Sequence, residues 1–316
     1  MITVLIRRLG SAVPILAIVT LITFGMIHMI PGDPAAAIAG ITATPDQVAQ
    51  IRHNLGLDQP IMTQLVHWYT NLLHGDLGTS LLLGQPVLHV VAVRLPVTIG
   101  LSAYALVITL ILGLASGIIA ALRQNSWVDQ AAMVFAMFGI SVPNFYLGLL
   151  MIIVFAVDLG WVPSGGYVAF AEDPAGWLVS MTLPAVSLAL LLTGLLARIT
   201  RSTMLEVLRQ DYIRTARAKG LSSRKVVIKH ALSNALIPIV TVIGIIVSLL
   251  ISGSVVTETL FSIPGMGQLL TQAVLNRDYP MVQGGLLIVT ALLVLVNIGV
   301  DVLYAFLDPR VRYDAA

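Results

Sequence analysis

The chain has 316 residues, of which 58% are apolar and 10% are charged, and its mean hydropathy is +0.96. Soluble domains average about 45–50% apolar and about 25% charged residues, so these few charges cannot cover a water-facing surface. The formal net charge of +2 is too small to indicate an anionic partner. The composition excludes a disordered chain, a nucleic-acid-binding domain and an ordinary soluble enzyme, and it predicts an all-α membrane protein.

Six apolar runs are long enough to cross a bilayer as helices. They cover residues 9–30, 97–122, 131–157, 183–200, 236–257 and 282–307. Prolines at or near four of the starts fit the first turn of a helix, where a missing N–H is harmless: Pro96, Pro184, Pro238 and Pro280. Pro143 lies inside the third run and predicts a kink or a break there. The first run is about twice as long as a signal-peptide core and predicts an uncleaved anchor.

The runs divide the chain into a simple order of segments. An anchor helix covers residues 1–30, an outer segment 31–96, a five-helix core 97–307 with an inner loop at 201–235, and a tail 308–316. With the N-terminus in the cytoplasm, 14 of the 17 Lys and Arg residues lie in inner segments. The outer basic residues are then Arg52, Arg94 and Arg277. This asymmetry predicts that both termini are cytoplasmic.

The outer segment carries signals for two short helices. It opens with a turn at Pro31–Pro34, and Thr44 and Gln47 have the spacing of a capping box. The first helix should end near Gly56, and a second should run from Pro60 to about Gly75 with one apolar face. The segment is either a small cap lying on the membrane or on a partner, or a connector that covers helix ends.

The inner loop is strongly basic. Counting Arg198, it has nine basic residues against Glu206 and Asp211. A short helix is predicted to end at Gly220, with Ser222 or Ser223 capping a second helix. Small residues in this elbow would let another surface approach the backbone closely. Attraction of the positive charge to anionic lipid would also explain the pattern without a partner.

Several kinds of chemistry are excluded by the sequence. No lysine precedes Ser or Thr, so the chain has no P-loop, and it has neither an H-E-x-x-H nor a G-x-S-x-G motif. We therefore expect no catalytic residues, no metal site and no cofactor bound by this chain. Polar residues within the spans remain as candidates. Pro143, Asn144 and Glu258 could line a translocation path or gate, whereas Asn297 and Asp301 favour anchoring between helices.

The inner elbow resembles the E-A-A-x-x-x-G motif of ABC-importer permeases, in the variant typical of dipeptide and oligopeptide permeases. The matching residues are Arg214, Thr215, Ala216, Arg217, Ala218, Lys219, Gly220 and Leu221. Other stretches of the same family follow in order: 30–34, 75–80, 141–145, 261–267, 277–280 and 301–310. Arg214 stands where many permeases have Glu, which matches the peptide branch.

The resemblance implies a type I ABC-importer permease fold in a prokaryotic cytoplasmic (inner) membrane. It implies that the chain pairs with a second related permease and that each permease binds an ATPase subunit through its elbow. The two ATPase subunits bind the ATP and Mg. It also implies that an extracytoplasmic solute-binding protein delivers peptides, although nickel, glutathione or haem are alternative solutes of the same importer class.

Three rival classes remain open from the sequence. An ion-gradient-driven secondary transporter would usually show internal repeats, and no clear repeat is present. An intramembrane enzyme would need the missing catalytic motifs. A purely structural scaffold would not need an elbow of small residues followed by glycine.

Overall fold

The computed structural model describes residues 2–29, 34–39, 43–54 and 56–307. Helices α1–α4 cover Ile2–Met29, Pro34–Ala39, Pro45–Asn54 and Ile61–Leu73. Helices α5–α9 cover Val87–Leu122, Trp127–Ser141, Asn144–Met151, Pro174–Leu208 and Asp211–Ala218. Helices α10–α13 cover Ser223–Lys225, Ser233–Leu260, Met266–Leu275 and Tyr279–Leu307. Two wide π-helical stretches, Ile152–Asp158 and Val226–Leu232, continue α7 and join α10 to α11.

The structure confirms a helical membrane protein. Within the described residues, four helical stretches are long and apolar enough to cross a membrane: Val87–Leu122, Pro174–Leu208, Ser223–Leu260 and Tyr279–Leu303. The pair Trp127–Ser141 and Asn144–Asp158 makes a fifth if it counts as one span, and it bends by 103°. The apolar part of α1 with described side chains, Gly10–Gly25, is shorter. The predicted tail at 308–316 lies outside the described residues. Of the predicted turn at Pro31–Pro34, only Pro34 is among them.

The expected positions of the prolines are partly wrong. Pro96, Pro184 and Pro238 lie inside α5, α8 and α11, because these helices begin well before the apolar runs do. Pro280 alone keeps its predicted place, at the second residue of α13. Helix α8 begins instead at Pro174, where the Asp173 side chain accepts from the N–H of Ala175 at 3.0 Å. The helices therefore extend beyond the apolar runs into polar sequence.

The predicted break at Pro143 is confirmed. Helix α6 ends at Ser141, and Pro143 has φ −57° and ψ 136° before α7 begins at Asn144. A proline in a helix interior removes a hydrogen bond and clashes with the preceding turn, so the chain changes direction here.

The chain folds as two compact units, the first centred on Thr98–Pro264. Its central helix is α8, whose middle turns are almost continuously buried. Glycines let neighbouring backbones approach α8: a Cβ on Gly117 would lie 2.6 Å from Ala197 O, and one on Gly139 would lie 2.8 Å from Leu190 O. Small residues at helix contacts are the usual way to pack helices tightly in lipid.

The second unit is built from two separated stretches, Arg7–Val97 and Gly265–Val294. Its apolar core joins the start of α5 to α12 and the start of α13, and it includes Val87, Val91, Met266 and Met281. Helix α4 packs on α1 through a 2.9 Å hydrogen bond between the hydroxyls of Thr20 and Tyr69.

Local signals placed the short outer helices correctly. Thr44 N–H donates to Gln47 Oε1 at 2.9 Å, and Gln47 N–H donates to Thr44 Oγ1 at 3.4 Å, so the capping box is confirmed. Helix α4 ends one residue before His74 and is followed by Gly75 at φ +79°. In the last turn of α3, His53 lies 2.8 Å from Asp58, and this hydrogen bond holds the pKa of the Asp58 carboxyl below its ordinary value.

Candidate functional site

The inner elbow forms a short helix with a well-defined end. Helix α9 ends at Ala218, and Gly220 follows in the left-handed region at φ +77°. Gly220 N–H donates to Arg217 O at 2.9 Å, and Leu221 N–H donates to Ala216 O at 3.3 Å. This pair of bonds is the Schellman motif, in which glycine is favoured because a Cβ disfavours positive φ. The predicted helix–glycine–helix elbow is therefore present.

One face of α9 packs against the rest of this protein. Ile213 is fully buried and Ala216 is nearly so, and α9 packs against the π-helical stretch Val226–Leu232. Val226 and Ala231 in that stretch are buried as well. Ala216 thus lies on the inner side of the helix, where its small side chain permits close packing within this chain.

The other side of the elbow is open to a partner. The exposed residues of the predicted motif are Arg214, Thr215, Arg217, Ala218, Lys219, Gly220 and Leu221. Arg214 lies 3.5 Å from Asp211, and because both side chains are largely exposed this ion pair contributes little to stability. A Cβ placed on Gly220 would meet no atom of the described residues within 4 Å. The exposed face of the elbow is therefore basic.

The elbow continues directly into a membrane span. Ser222 occupies the N-cap position of α10, as one of the two predicted alternatives, although its side chain makes no capping hydrogen bond. Helix α10, the π-helical stretch and α11 then run without interruption from Ser223 to Leu260. A displacement of α9 would therefore reach α11 through a continuous helical backbone.

An ion pair with a buried carboxylate fixes α6 to α8, and no sequence pattern indicated it. Arg201 Nε donates to Asp129 Oδ1 at 2.5 Å, and Arg201 Nη2 donates to Asp129 Oδ2 at 2.7 Å. Asp129 is 3% exposed and also accepts from Asn125 N–H at 2.9 Å. The spacing from Ser126 to Asp129 is that of a capping box, which was a readable signal for the start of α6. It gave no indication of Arg201 as the partner.

We expect Arg201→Leu to destabilise the protein by about 3–5 kcal/mol, because it leaves Asp129 buried without its counter-charge. The double variant Asp129→Leu/Arg201→Leu should recover at least half of that loss, since an apolar pair has no charge to desolvate. Apparent unfolding temperatures from fluorescence-detected size-exclusion chromatography measure both effects. Arg209→Leu, at an exposed arginine of the same helix end, is the matched control. A double variant as unstable as Arg201→Leu would contradict the coupling.

The candidate path residues occupy two separate places. Pro143 and Asn144 form the turn between α6 and α7, with Pro143 exposed and Asn144 partly buried. Glu258 is fully buried in α11, and it accepts a hydrogen bond from Thr98 Oγ1 at 2.6 Å. Their roles in a path or gate remain predictions.

The candidate anchoring residues lie on α13. Ser248 Oγ of α11 donates to Asn297 Oδ1 at 3.3 Å. Near this bond, a Cβ on Gly244 would lie 2.4 Å from Val300 Cγ1, so the two helices approach closely. Asp301 is partly buried one turn further along α13. The anchoring roles of Asn297 and Asp301 remain predictions.

Two stretches that carried the resemblance meet in the second unit. The carboxylate of Asp278 accepts from Ser80 Oγ at 2.5 Å and from the N–H groups of Leu81, Leu82 and Met281 at 3.1, 3.2 and 3.3 Å. Asp278 is 2% exposed. This Asp278 cradle joins the loop before α5 to the loop before α13. Sequence motifs marked both loops, but no pattern indicated that they touch.

The family of the chain is shown by comparison with known proteins. A family model described as the inner membrane component of binding-protein-dependent transport systems matches residues 113–313. A second model, for the N-terminal part of such components, matches residues 1–102. The chain therefore belongs to the family of inner membrane components of binding-protein-dependent transport systems, as the motifs predicted.

Relatives match along nearly the whole chain. A Brucella abortus protein, provisionally named a peptide transport system permease, is 52% identical over 99% of this chain and 100% of its own length. The glutathione transport system permease protein GsiC of Escherichia coli is 42% identical over 99% of this chain and 100% of its own length. The dipeptide transport system permease protein DppB of Alkalihalophilus pseudofirmus is 40% identical over 97% of this chain and 98% of its own length.

A solved structure shares the fold. A chain of the inward-facing MetNI methionine ABC transporter superposes with a TM-score of 0.60 at 18% identity. The match covers 70% of this chain and 97% of that chain. The fold predicted from the motifs, that of an ABC-importer permease, is thus supported by structure as well as by sequence.

Proposed function

We propose that this chain is a permease subunit of an ATP-driven importer that takes up di- and oligopeptides across a prokaryotic cytoplasmic membrane. The names of its relatives, which include dipeptide and glutathione permeases, support this solute class. The proposal includes six membrane-spanning helices, with α1 as the first, and both termini in the cytoplasm. The basic residues of the inner loop support that orientation.

The working complex has several parts. A second, related permease completes a heterodimer, two ATPase subunits bind ATP and Mg, and an extracytoplasmic solute-binding protein delivers the peptide. This chain contributes the path and the elbow, contacts the lipid bilayer, and binds no nucleic acid. The absence of a P-loop from its sequence supports the assignment of ATP hydrolysis to the partners.

One observation carries the proposal: α9 is attached by its inner side and open on its outer side. The buried Ile213 and Ala216 hold the helix to the chain, while the exposed residues through Leu221 are available to an ATPase subunit. Because the backbone runs on into α11, force applied to α9 reaches a membrane span.

The mechanism is a shift between inward-open and outward-open states. ATP-bound ATPase subunits hold the two elbows in the arrangement of one state, and hydrolysis releases them. Moving such an equilibrium from 1:99 to 99:1 needs about 5.5 kcal/mol of differential binding. Pro143 and Asn144 at the break, and Glu258 in α11, are the proposed path or gate residues, since a broken helix and a buried carboxylate are typical of such places in membranes.

Reconstitution tests the proposal directly. The complete complex in proteoliposomes, supplied with its binding protein, should take up radiolabelled trialanine only when ATP is present. Uptake should persist when ionophores collapse the ion gradients. Unlabelled dipeptides, glutathione, nickel and haem, added as competitors, identify the solute.

Two results would overturn parts of the proposal. Uptake that survives ATP depletion but stops with the ion gradient would make the chain a secondary transporter. If nickel or haem competes for uptake and peptides do not, the chain is still part of an ATP-driven importer, but its solute class is not peptides.

A further inference from the structure

An outer cavity lies wholly within the second unit and is not used by the mechanism above. It has a volume of about 570 Å³, within the range of small-molecule pockets. Helix α4 and the loop after it form one wall, and the first turns of α13 form another. All of its lining residues belong to the stretches Arg7–Val97 and Gly265–Val294.

The cavity contains a buried polar group that lacks a partner. Gln283 lines it and is 6% exposed, and its amide nitrogen Nε2 is shielded from water without a hydrogen-bond partner among the described residues. A buried donor left in this state costs free energy, so a retained one needs an explanation. A ligand oxygen entering the cavity would supply the missing acceptor.

The remaining lining groups define the class of ligand. Among the described lining residues Asp76 is the one carboxylate, there is no Lys or Arg, and His53 and His67 contribute imidazole rings. Gln64 and Asn71 add amides, and Trp68 offers an aromatic surface that is held by contacts with Phe24 and Tyr69 at ring-centroid distances of 6.2 and 5.3 Å. This set suits a ligand with an ammonium group, amide groups and a short apolar side chain.

We infer that the cavity binds a short peptide, with its ammonium group toward Asp76 and with a peptide carbonyl accepting from Gln283 Nε2 after the Gln283 side chain has turned that nitrogen toward the ligand. Asp76 is exposed, and its carboxylate would attract the ammonium group of a peptide, whose amides and side chains suit the other lining groups. A neutral sugar carries no charge for this carboxylate to attract. The choice of peptide rests on the proposed function. The site is a peptide site within the permease itself, and its lining includes none of the elbow residues or the proposed path residues.

The lack of cysteine in this chain makes a local test possible. Asn71→Cys places a single thiol at the cavity wall, and Val66→Cys places one on the same helix at a position 64% exposed and outside the cavity. The complete complex, in nanodiscs without its binding protein, is labelled with a charged thiol reagent, and labelling of this chain is followed by mass spectrometry. Trialanine should slow labelling of Asn71→Cys at least tenfold and leave Val66→Cys unchanged.

A second substitution shows whether Gln283 is responsible. Gln283→Leu keeps the side-chain volume but removes the donor, so it should abolish protection by trialanine while the unfolding temperature stays the same or rises. Gln272→Leu, at an exposed glutamine outside the cavity, is the matched control and should leave protection intact. Asp76→Asn should weaken protection by trialanine at least tenfold, and it provides a readout should Gln283→Leu fail to fold.

The inference is overturned by any of three results. These are no protection in the unsubstituted background, protection unchanged by both Gln283→Leu and Asp76→Asn, or protection by maltotriose rather than trialanine. If the complex takes up peptide with ATP but trialanine does not protect Asn71→Cys from labelling, this site is rejected and the proposed function stands. Protection without peptide uptake would reject the proposed function and keep the site.

Discussion

Gly220→Val should abolish ATP-driven uptake while the permease remains in the membrane. Gly220 has φ +77°, and its N–H and that of Leu221 close the C-terminal end of α9. Holding a residue with a Cβ in this conformation costs about 1–2 kcal/mol, and a β-branched side chain is among the least tolerant. The turn would open and displace the exposed face that the ATPase subunit is proposed to grip. Uptake by the reconstituted complex, with immunoblotting of the membrane fraction, measures the effect.

Gly220→Asn separates the backbone requirement from the size of the side chain. Asparagine adopts positive φ more readily than valine, and a Cβ at this position meets nothing within 4 Å in the part of the chain that the structure describes. We expect Gly220→Asn to keep at least a third of the uptake. If both variants lose uptake equally, the size of the side chain against the ATPase subunit, and not the backbone conformation, determines the loss. Full uptake by Gly220→Val would reject the coupling role of the elbow.

Asp278→Ala should lower the stability of the second unit more than any other single change in its loops. It removes the acceptor for Ser80 Oγ and for three backbone N–H groups. The donors of Ser80 and Met281 are buried, whereas those of Leu81 and Leu82 are partly exposed and can be hydrated. Each buried donor without a partner costs about 1–3 kcal/mol, so we expect a total of about 3–5 kcal/mol. The apparent unfolding temperature should fall by roughly 10 °C.

A graded set of variants tests the Asp278 cradle. Asp278→Asn keeps one acceptor oxygen and should lose about half as much, whereas Ser80→Ala removes one donor and should lose least. Asp173→Ala is the matched control, since that carboxylate accepts from Ala175 N–H at an exposed helix start. If Asp278→Ala were no worse than Asp173→Ala, the cradle would not stabilise the unit.

Local features of the fold were readable from the sequence. The Thr44–Gln47 capping box, the break at Pro143 and the glycine-terminated elbow each depend on a few neighbouring residues, and all are present. Helix starts were harder to place. Helix α5 begins at Val87, although His89 and Arg94 in its first turns made the stretch look like part of the outer segment.

The side-chain partners could not be read from the sequence. The carboxylates of Asp129 and Asp278 pair with residues 72 and 198 positions away, and no local periodicity encodes such contacts. The inward position of Ala216 depends on packing against Val226–Leu232, which the composition of the elbow does not determine. The orphaned amide of Gln283 becomes visible only once the cavity around it exists.

Because the second unit is built from two distant stretches of the chain, it cannot be completed until the second stretch has been synthesised. Ser80 leaves the ribosome 198 residues before Asp278. At about 5–20 residues per second, roughly 10–40 s pass before the two can meet. During that interval the segment that carries Ser80 lacks the carboxylate that closes the cradle, so its folding cannot be completed until Asp278 has been synthesised. Chains interrupted before α13 are expected to be substrates for quality-control proteases.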